Sequence, residues 1–186
     1  MQTVSDEVLI ANIAKGDRLA METLFARHRV AVYRFVLRMV RNGSVAEDLN
    51  SDVFLDVWRQ AASFEGRSAV STWIFSIARF KALTALQRRP TEELDEEKAG
   101  AIADESDDPE TALAKKEKAA LLRRCLLKLS AEHREIVSLV YYQHKSVAQV
   151  ADIVGIPEAT VKTRMFYARK KLSELLAEQG IERGWP

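Results

Sequence analysis

Hydrophobic side chains recur at helical spacing along most of this chain. The first run before residue 90 consists of Leu24, Phe25, Val32, Phe35, Val36, Met39 and Val40. Spacings of three and four residues place apolar side chains on one face of an α-helix. This run stops at Asn42-Gly43, a pair that often follows the last turn of a helix. The pattern therefore predicts a helix that ends at this pair.

Two more helices are predicted in the same part of the chain. Apolar residues from Leu49 to Ala61 mark one of them, and the other covers roughly Ser71 to Arg89. It should end there because Pro90 disfavours a helical conformation in the residue before it. No stretch alternates for long with the period of two that marks a β-strand. Residues 1–89 are thus expected to form a helical domain.

A second helical domain is predicted over residues 113–180. Leu113 to Leu129 has the pattern of one amphipathic helix, and Ser130 suits the N-cap of the next helix. Ser146 and Gln149 have the spacing of a capping box, which marks the start of a further short helix. The predicted fold class is therefore all-α, with two small helical domains.

Charge separates these two domains. Residues 1–89 hold 13 basic and 9 acidic side chains, and residues 111–186 hold 14 basic and 8 acidic ones. Residues 90–110 hold one lysine and ten acids, so the formal net charge of +1 conceals an acidic segment. It has no sustained apolar period, and its like charges oppose compaction. An acidic flexible linker over residues 90–112 is predicted; the alternative is a solvated surface loop within one domain.

Gly155 and Pro157 stand between the last two predicted helices. Glycine supplies a tight turn and proline suits the first position of a helix, so the segment has the pattern of a helix-turn-helix. The second helix of such a motif reads base edges, while flanking cations hold phosphates. An ordinary helix with a solvated basic face is the alternative. The candidate DNA-binding residues are Lys162, Thr163, Arg164, Phe166, Tyr167, Arg169, Lys170 and Lys171.

Three ordered segments resemble one protein family. They are AEDLNSDVFLDVW (Ala46 to Trp58), VSTWIFSIARFKALTALQRR (Val70 to Arg89) and the segment from Leu126 to Leu172. Together they resemble an extracytoplasmic-function (ECF, group IV) sigma factor of the bacterial sigma-70 family. The resemblance implies a subunit that binds core RNA polymerase and directs promoter-specific initiation in response to stress or another signal. Residues 1–89 would then bind core polymerase and melt the −10 element, and residues 113–180 would recognise the −35 element.

By this resemblance, the segment from Ala46 to Trp58 is the helix that binds core polymerase. Its acidic side chains form a stripe with apolar edges, which suits a basic partner surface. A solvated acidic face is the alternative. The residues assigned to this contact are Asp48, Leu49, Asp52, Leu55, Asp56 and Trp58.

The segment from Phe64 to Arg89 corresponds to the part of the family that captures an unstacked base of the −10 element. Such capture needs hydroxyls to read a base edge and aromatic or cationic groups to stack and hold phosphates. Trp73 fits either this stacking role or the core. The family commonly has Asn where Phe80 stands and Asp where Thr84 stands. The residues assigned to −10 DNA are Arg67, Ser68, Ser71, Thr72, Trp73, Arg79, Lys81, Arg88 and Arg89.

The resemblance also implies the remaining partners. The acidic linker would thread the polymerase interior, and an anti-sigma factor would hold the free protein. The competing function is a helix-turn-helix activator that binds duplex DNA without being a polymerase subunit. Its receiver domain would contain strands, for which residues 1–89 show no pattern.

Several other classes are disfavoured. The three histidines are scattered and no Cys/His cluster has metal-ligand spacing, so no catalytic site, metal or cofactor is expected. No apolar run approaches the roughly 20 residues that span a bilayer, and no signal peptide is evident. Cys125 is the only cysteine, which fits a cytoplasmic protein, and a buried apolar position suits it better than a reactive one.

Overall fold

The computed structural model describes residues 4–88 and 120–180, and all regular elements in these two ranges are helical. The first range contains α1 (Asp6–Ile13), α2 (Arg18–Val40), α3 (Gly43–Gln60), the 3-10 turn Ala61–Ser63 and α4 (Val70–Arg88). The second contains α5 (120–127), α6 (Ala131–Val137), a π-helical segment Ser138–Tyr142, α7 (Val147–Val154) and α8 (Glu158–Ala177). The predicted all-α class with two helical domains is confirmed. The predicted linker, 90–112, and Arg89 lie outside the described residues.

Side-chain caps fix the starts of the first three helices. Ser5, Asp17 and Asn42 precede α1, α2 and α3, and each accepts backbone N–H groups of the first turn. Such a cap satisfies donors that have no partner within the helix and typically contributes about 1 kcal/mol. The sequence pattern did not predict α1, because eight residues show too few turns for a clear period.

The expectation that Asn42-Gly43 terminates α2 is wrong in its details. α2 ends at Val40, and Arg41 takes the left-handed conformation with φ 56°. Asn42 instead accepts the backbone N–H of Val45 at 3.1 Å, and Gly43 is the first residue of α3. The pair serves the next helix because Asn is favoured at an N-cap as well as after a C-terminus.

Each helix of the first domain turns one apolar face inward. Phe35 of α2 is fully buried, and its ring meets that of Phe75 of α4 edge-on, with 5.3 Å between ring centres. Phe25 and Phe54 form a second edge-on pair at 4.9 Å, which joins α2 to α3. These contacts fix α3 and α4 against α2, and thereby fix the directions in which their outer faces point.

The helix-turn-helix forms as predicted, with one shift. Ser130 caps α6, and Ser146 forms the capping box with Gln149 at the start of α7. Gly155 follows α7 with φ 73°, which is the left-handed conformation that glycine adopts without strain. Pro157 occupies the N-cap of α8 rather than its first helical position.

Candidate functional site

The face of α8 that turns away from the core is basic and aromatic. Val161, Met165, Ala168 and Leu172 are buried at helical spacing, which fixes the opposite face towards solvent. Phe166 is 64% exposed and Tyr167 is 54% exposed. The predicted residues on this exposed surface are Lys162, Thr163, Phe166, Tyr167, Arg169, Lys170 and Lys171.

Partners within the domain orient two of these cations. A guanidinium held by a phenol, or an ammonium close to a carboxylate, keeps its charge while losing rotational freedom. The contacts are Arg169 Nε donating to the Tyr141 hydroxyl oxygen at 2.7 Å, and Lys171 Nζ lying 3.5 Å from Glu174 Oε2. Within the described residues, no ion pair engages Lys162 or Lys170.

Arg164 differs from its neighbours on α8. It is half-buried and its Nη2 lies 3.4 Å from Glu132 Oε2. Both side chains line a groove of about 290 Å³ between the two domains. Arg164 therefore faces the groove and not the exposed surface of α8. The sequence had placed it among the DNA-binding residues of that surface.

The outer face of α3 carries the predicted acidic stripe. Asp48 and Asp52 are exposed one turn apart, and Leu55, beside them, is 51% exposed. Trp58 lies at the margin of this face with about a third of its surface exposed. Leu49 packs against the core instead, so the exposed members of the predicted set on α3 are two carboxylates with apolar neighbours.

Asp56 is turned away from this stripe. Its Oδ2 lies 2.7 Å from Lys81 Nζ on α4, and its Oδ1 lies 3.9 Å from Arg59. The Asp56–Lys81 pair joins α3 to α4 and neutralises a cation that the sequence assigned to DNA. Both side chains are mostly covered, so neither is free to meet a partner without breaking this pair.

The residues predicted to contact −10 DNA are not equally accessible. Trp73 is partly buried, and its ring centre lies 5.0 Å from that of Phe64, so it packs in this structure. Thr72 is 1% exposed, and its hydroxyl has no hydrogen-bond partner among the described residues. Arg67 and Arg88 are exposed, with Arg67 ion-paired to Glu65, whereas Ser68 is half-buried.

Ser71 and Arg79 both contact the second domain. Lys145 Nζ donates to Ser71 Oγ at 2.6 Å, and Arg79 Nε donates to Glu135 Oε1 at 2.7 Å. Sequence reasoning missed Glu135 and Lys145. The only available signal was a charged residue on an otherwise apolar helix face, as in EIVSL, where Glu135 precedes buried side chains.

Burial shifts several ionisation equilibria at this contact between the domains. It lowers the pKa of Lys145, an effect that the carboxylate of Asp6 opposes. It likewise lowers the pKa of Arg38, whose guanidinium carbon lies 4.1 Å from the centre of the Tyr142 ring. Burial raises the pKa of Tyr142, with Arg38 opposing the shift. All three shifts have one cause: water is excluded where the domains meet.

Two families match the two domains. Sigma-70 region 2 matches residues 24–90, and Sigma-70, region 4 matches residues 119–172. The ECF RNA polymerase sigma factor SigM of Mycobacterium tuberculosis (strain ATCC 25618 / H37Rv) is 35% identical over 175 residues, which cover 92% of this chain and 85% of SigM. The chain belongs to the ECF sigma factors of the sigma-70 family.

Two solved structures share this fold. CnrH, solved in complex with the cytosolic domain of CnrY, superposes with a TM-score of 0.71 at 24% identity and covers 93% of this chain and 97% of CnrH. The sigma factor RpoE of Bartonella quintana, solved with the anti-sigma factor NepR, gives 0.68 at 22% identity, with 84% and 96% covered. These similarities extend over both helical domains of this ECF family member.

Two further properties bear on what this sigma-family chain can do. Over residues 4–88 and 120–180, no helix is long and apolar enough to cross a membrane. The same ranges hold no group of three or more His, Cys, Asp and Glu side chains arranged to bind a metal ion.

Proposed function

We propose that this chain binds bacterial core RNA polymerase and directs promoter-specific transcription initiation as a signal-responsive alternative sigma factor. The observation that carries the proposal is that sigma-70 regions 2 and 4 both match, in this order, along one chain. A relative 35% identical over most of its length is named as an ECF RNA polymerase sigma factor. The chain would act as a regulatory subunit, with catalysis left to the core enzyme.

We propose a separate role for each predicted domain and for the linker. Residues 1–89 bind core polymerase and open the −10 element, residues 90–112 link the domains, and residues 113–180 bind the −35 element. The exposed carboxylates Asp48 and Asp52 support the first role, since they complement a basic surface. The basic outer face of α8 supports the last role.

We propose that −10 DNA is bound by the residues that the sequence predicts, which lie in the loop after α3 and on α4. Arg67 and Arg88 are exposed, and Ser68 is half-buried with its hydroxyl 3.5 Å from the Ala69 carbonyl oxygen. Ser71, Arg79 and Lys81 first have to leave their present partners. Thr72 would need the surrounding packing to loosen before its hydroxyl met a base.

An anti-sigma factor is the proposed regulator of the free chain. RpoE of Bartonella quintana, which shares this fold, was solved with the anti-sigma factor NepR, and we extend that kind of partner to this chain. The proposed location is the cytoplasm, where core polymerase and promoter DNA are found.

Run-off transcription tests the proposal. Purified chain is mixed with bacterial core RNA polymerase and a library of genomic fragments. We expect discrete transcripts that depend on both proteins, with core alone and chain alone as the controls. A correctly folded chain that supports no initiation on any fragment would refute the proposal.

The competing reading, a helix-turn-helix activator, makes a different prediction. An activator shifts its duplex operator without polymerase, whereas the proposed sigma factor needs core polymerase to recognise a promoter. A gel-shift series with the run-off templates, with and without core, therefore separates the two functions.

A further inference from the structure

A notch of about 320 Å³ lies between α6 and α8, and residues of these two helices line it. The lining residues are His133 of α6 and Tyr167, Lys170, Lys171 and Glu174 of α8. Spacings of three and four residues place the members from α8 on one face of that helix, and α6 packs against α8. The imidazole of His133 therefore shares a concave surface with side chains that the proposed function assigns to −35 DNA.

The charges of this notch favour an anion. Lys171 Nζ lies 3.5 Å from Glu174 Oε2, so the carboxylate of the lining balances one of its two ammonium groups. Neither Lys170 nor the His133 imidazole has an ion pair among residues 4–88 and 120–180. The exposed phenol of Tyr167 adds a hydroxyl that can donate a hydrogen bond. The notch thus carries one uncompensated positive charge when His133 is neutral and two when it is protonated.

The neighbours of His133 on its own helix are directed elsewhere. Glu132 Oε2 lies 3.4 Å from Arg164 Nη2, and Arg134 Nη1 donates to a backbone carbonyl of α5 at 3.3 Å. The backbone N–H of His133 donates to the Ser130 hydroxyl at 3.3 Å, which fixes the first turn of α6. Its half-buried ring is therefore held in place, and the charged groups that face it are those of the notch.

An imidazole in such a notch binds a phosphate better when it carries a proton. The neutral ring donates one hydrogen bond, whereas the protonated ring donates from both nitrogens and adds a positive charge. A neighbouring phosphate favours the charged form, so binding of the anion takes up a proton. Histidine changes its charge between about pH 5 and 8, so the affinity for the anion should rise as the pH falls through this range.

We propose that a DNA phosphate occupies the notch between α6 and α8 and binds His133 together with Lys170, so that affinity for DNA increases as the pH falls. That this phosphate belongs to the −35 element rests on the proposed function, whereas binding of duplex DNA at the notch does not. Sequence reasoning missed His133 because it lies on a different helix from the other members of the surface.

Binding of a short duplex of random sequence to the full chain tests the contact without polymerase. Fluorescence anisotropy at low salt measures the affinity from about pH 8 to about pH 6. We expect the affinity of the wild type to rise roughly three- to tenfold over this range, since a preference of one pKa unit for the protonated form corresponds to tenfold. His133→Gln should lose most of this response. At the lower pH its salt dependence should also be shallower than that of the wild type by about one unit of slope.

Three further variants separate the phosphate contact from other causes. His133→Lys has a permanent cation and should bind tightly at both ends of the pH range. His144→Asn removes an exposed histidine outside the notch and should keep the response, since Asn tolerates the left-handed conformation at this position. Glu174→Gln removes the carboxylate of the notch, so it should bind more tightly at every pH and keep the response. Circular dichroism verifies that each variant is folded.

Two results on duplex DNA would overturn the proposal. The first is a wild-type affinity that does not change with pH, or a response that persists in His133→Gln. The second is loss of the response in Glu174→Gln, which would show that this carboxylate and not a DNA phosphate holds the proton.

Experiments with core polymerase relate the contact to the proposed function. Holoenzyme binding to a promoter with a −35 element should show the same difference between the wild type and His133→Gln. If the substitution altered co-elution with core polymerase and left DNA affinity unchanged, the notch would belong to a protein partner and the proposal would be wrong. Failure of run-off transcription with an intact pH response on duplex DNA would refute the proposed function and leave the phosphate contact standing.

Discussion

Lys162 and Lys170 differ in their positions on α8 although both ammonium groups are exposed. Lys162 lies in the first turns of the helix, the part that reaches base edges when such a helix enters the major groove. Lys170 lies two turns later, where side chains meet the sugar–phosphate backbone. We therefore propose that Lys162 reads bases and that Lys170 holds a phosphate.

Alanine substitution of each lysine tests this difference. Lys170→Ala should weaken all promoters alike and shallow the salt dependence by about one unit of slope, since one phosphate contact is lost. Lys162→Ala should flatten the preference at one or two −35 positions, at the low end of about 1–3 kcal/mol. Holoenzyme binding to a −35 substitution series measures both. Equal and uniform losses would show that the assumed register of α8 is wrong.

At the scale of the element, α3 combines a buried and an acidic face in one helix. Val53 and Val57 anchor the helix in the core, and this leaves Asp48 and Asp52 outward, one turn apart. Substitutions on the outer face should therefore alter binding without altering the fold.

The double reversal Asp48→Arg with Asp52→Arg should abolish binding to core polymerase. Two attractive charges become repulsive, which can cost several kcal/mol at an interface. The matched control is Glu174→Arg with Glu178→Arg, the same change at the same spacing at the C-terminal end of α8. Co-elution with core polymerase measures binding. If only the control variant lost binding to core polymerase, the interface would lie on the second domain and not on α3.

The turn between α7 and α8 depends on one glycine. Gly155 has φ 73°, and a side chain in that conformation costs roughly 1–2 kcal/mol. Gly155→Ala should lower the stability of the chain by about this amount. In contrast, Gly43→Ala should raise it by about 0.4–1 kcal/mol, because the added Cβ would lie at an ordinary 3.9 Å from the Tyr33 hydroxyl. Chemical denaturation of both variants measures the difference. A stabilising Gly155→Ala would contradict the left-handed turn.

At the scale of the whole molecule, charge is distributed so that the two basic domains flank an acidic segment. Residues 90–110 carry ten acids and one lysine, and they bring the formal charge of the chain down to +1. Long-range fields add over the molecule, so these acids reduce the attraction of the free chain for DNA.

Replacing these ten acids by their amides should strengthen binding of the free chain to random duplex DNA. The formal charge rises from +1 to +11, because ten negative charges are removed, and we expect at least about a tenfold gain at low salt. Fluorescence anisotropy measures the affinity. A variant with residues 90–110 in shuffled order keeps the charge and should bind like the wild type. If shuffling alone strengthened binding, the order of the acids and not their charge would be responsible.

The sequence by itself determined the helical class, the starts of α6 and α7 and the helix-turn-helix. Ser130, Ser146 and Gly155 act within a few residues of their own position, so their effects can be predicted from local spacing. The same holds for the outward direction of Lys162 and Asp48, since the helical period gives the apolar face and its opposite.

Only the tertiary structure decided which charged groups are free. Arg79 and Glu135 are 56 residues apart in sequence, and Ser71 and Lys145 are 74 apart, so no local pattern relates them. In the sequence, Arg79, Lys81 and Arg164 are basic residues like Lys162 and Lys170, yet only the two lysines on α8 have exposed charges without an ion pair among the described residues. Helical periodicity predicts which face of a helix is apolar. It does not predict whether the polar face will contact water, DNA or another domain.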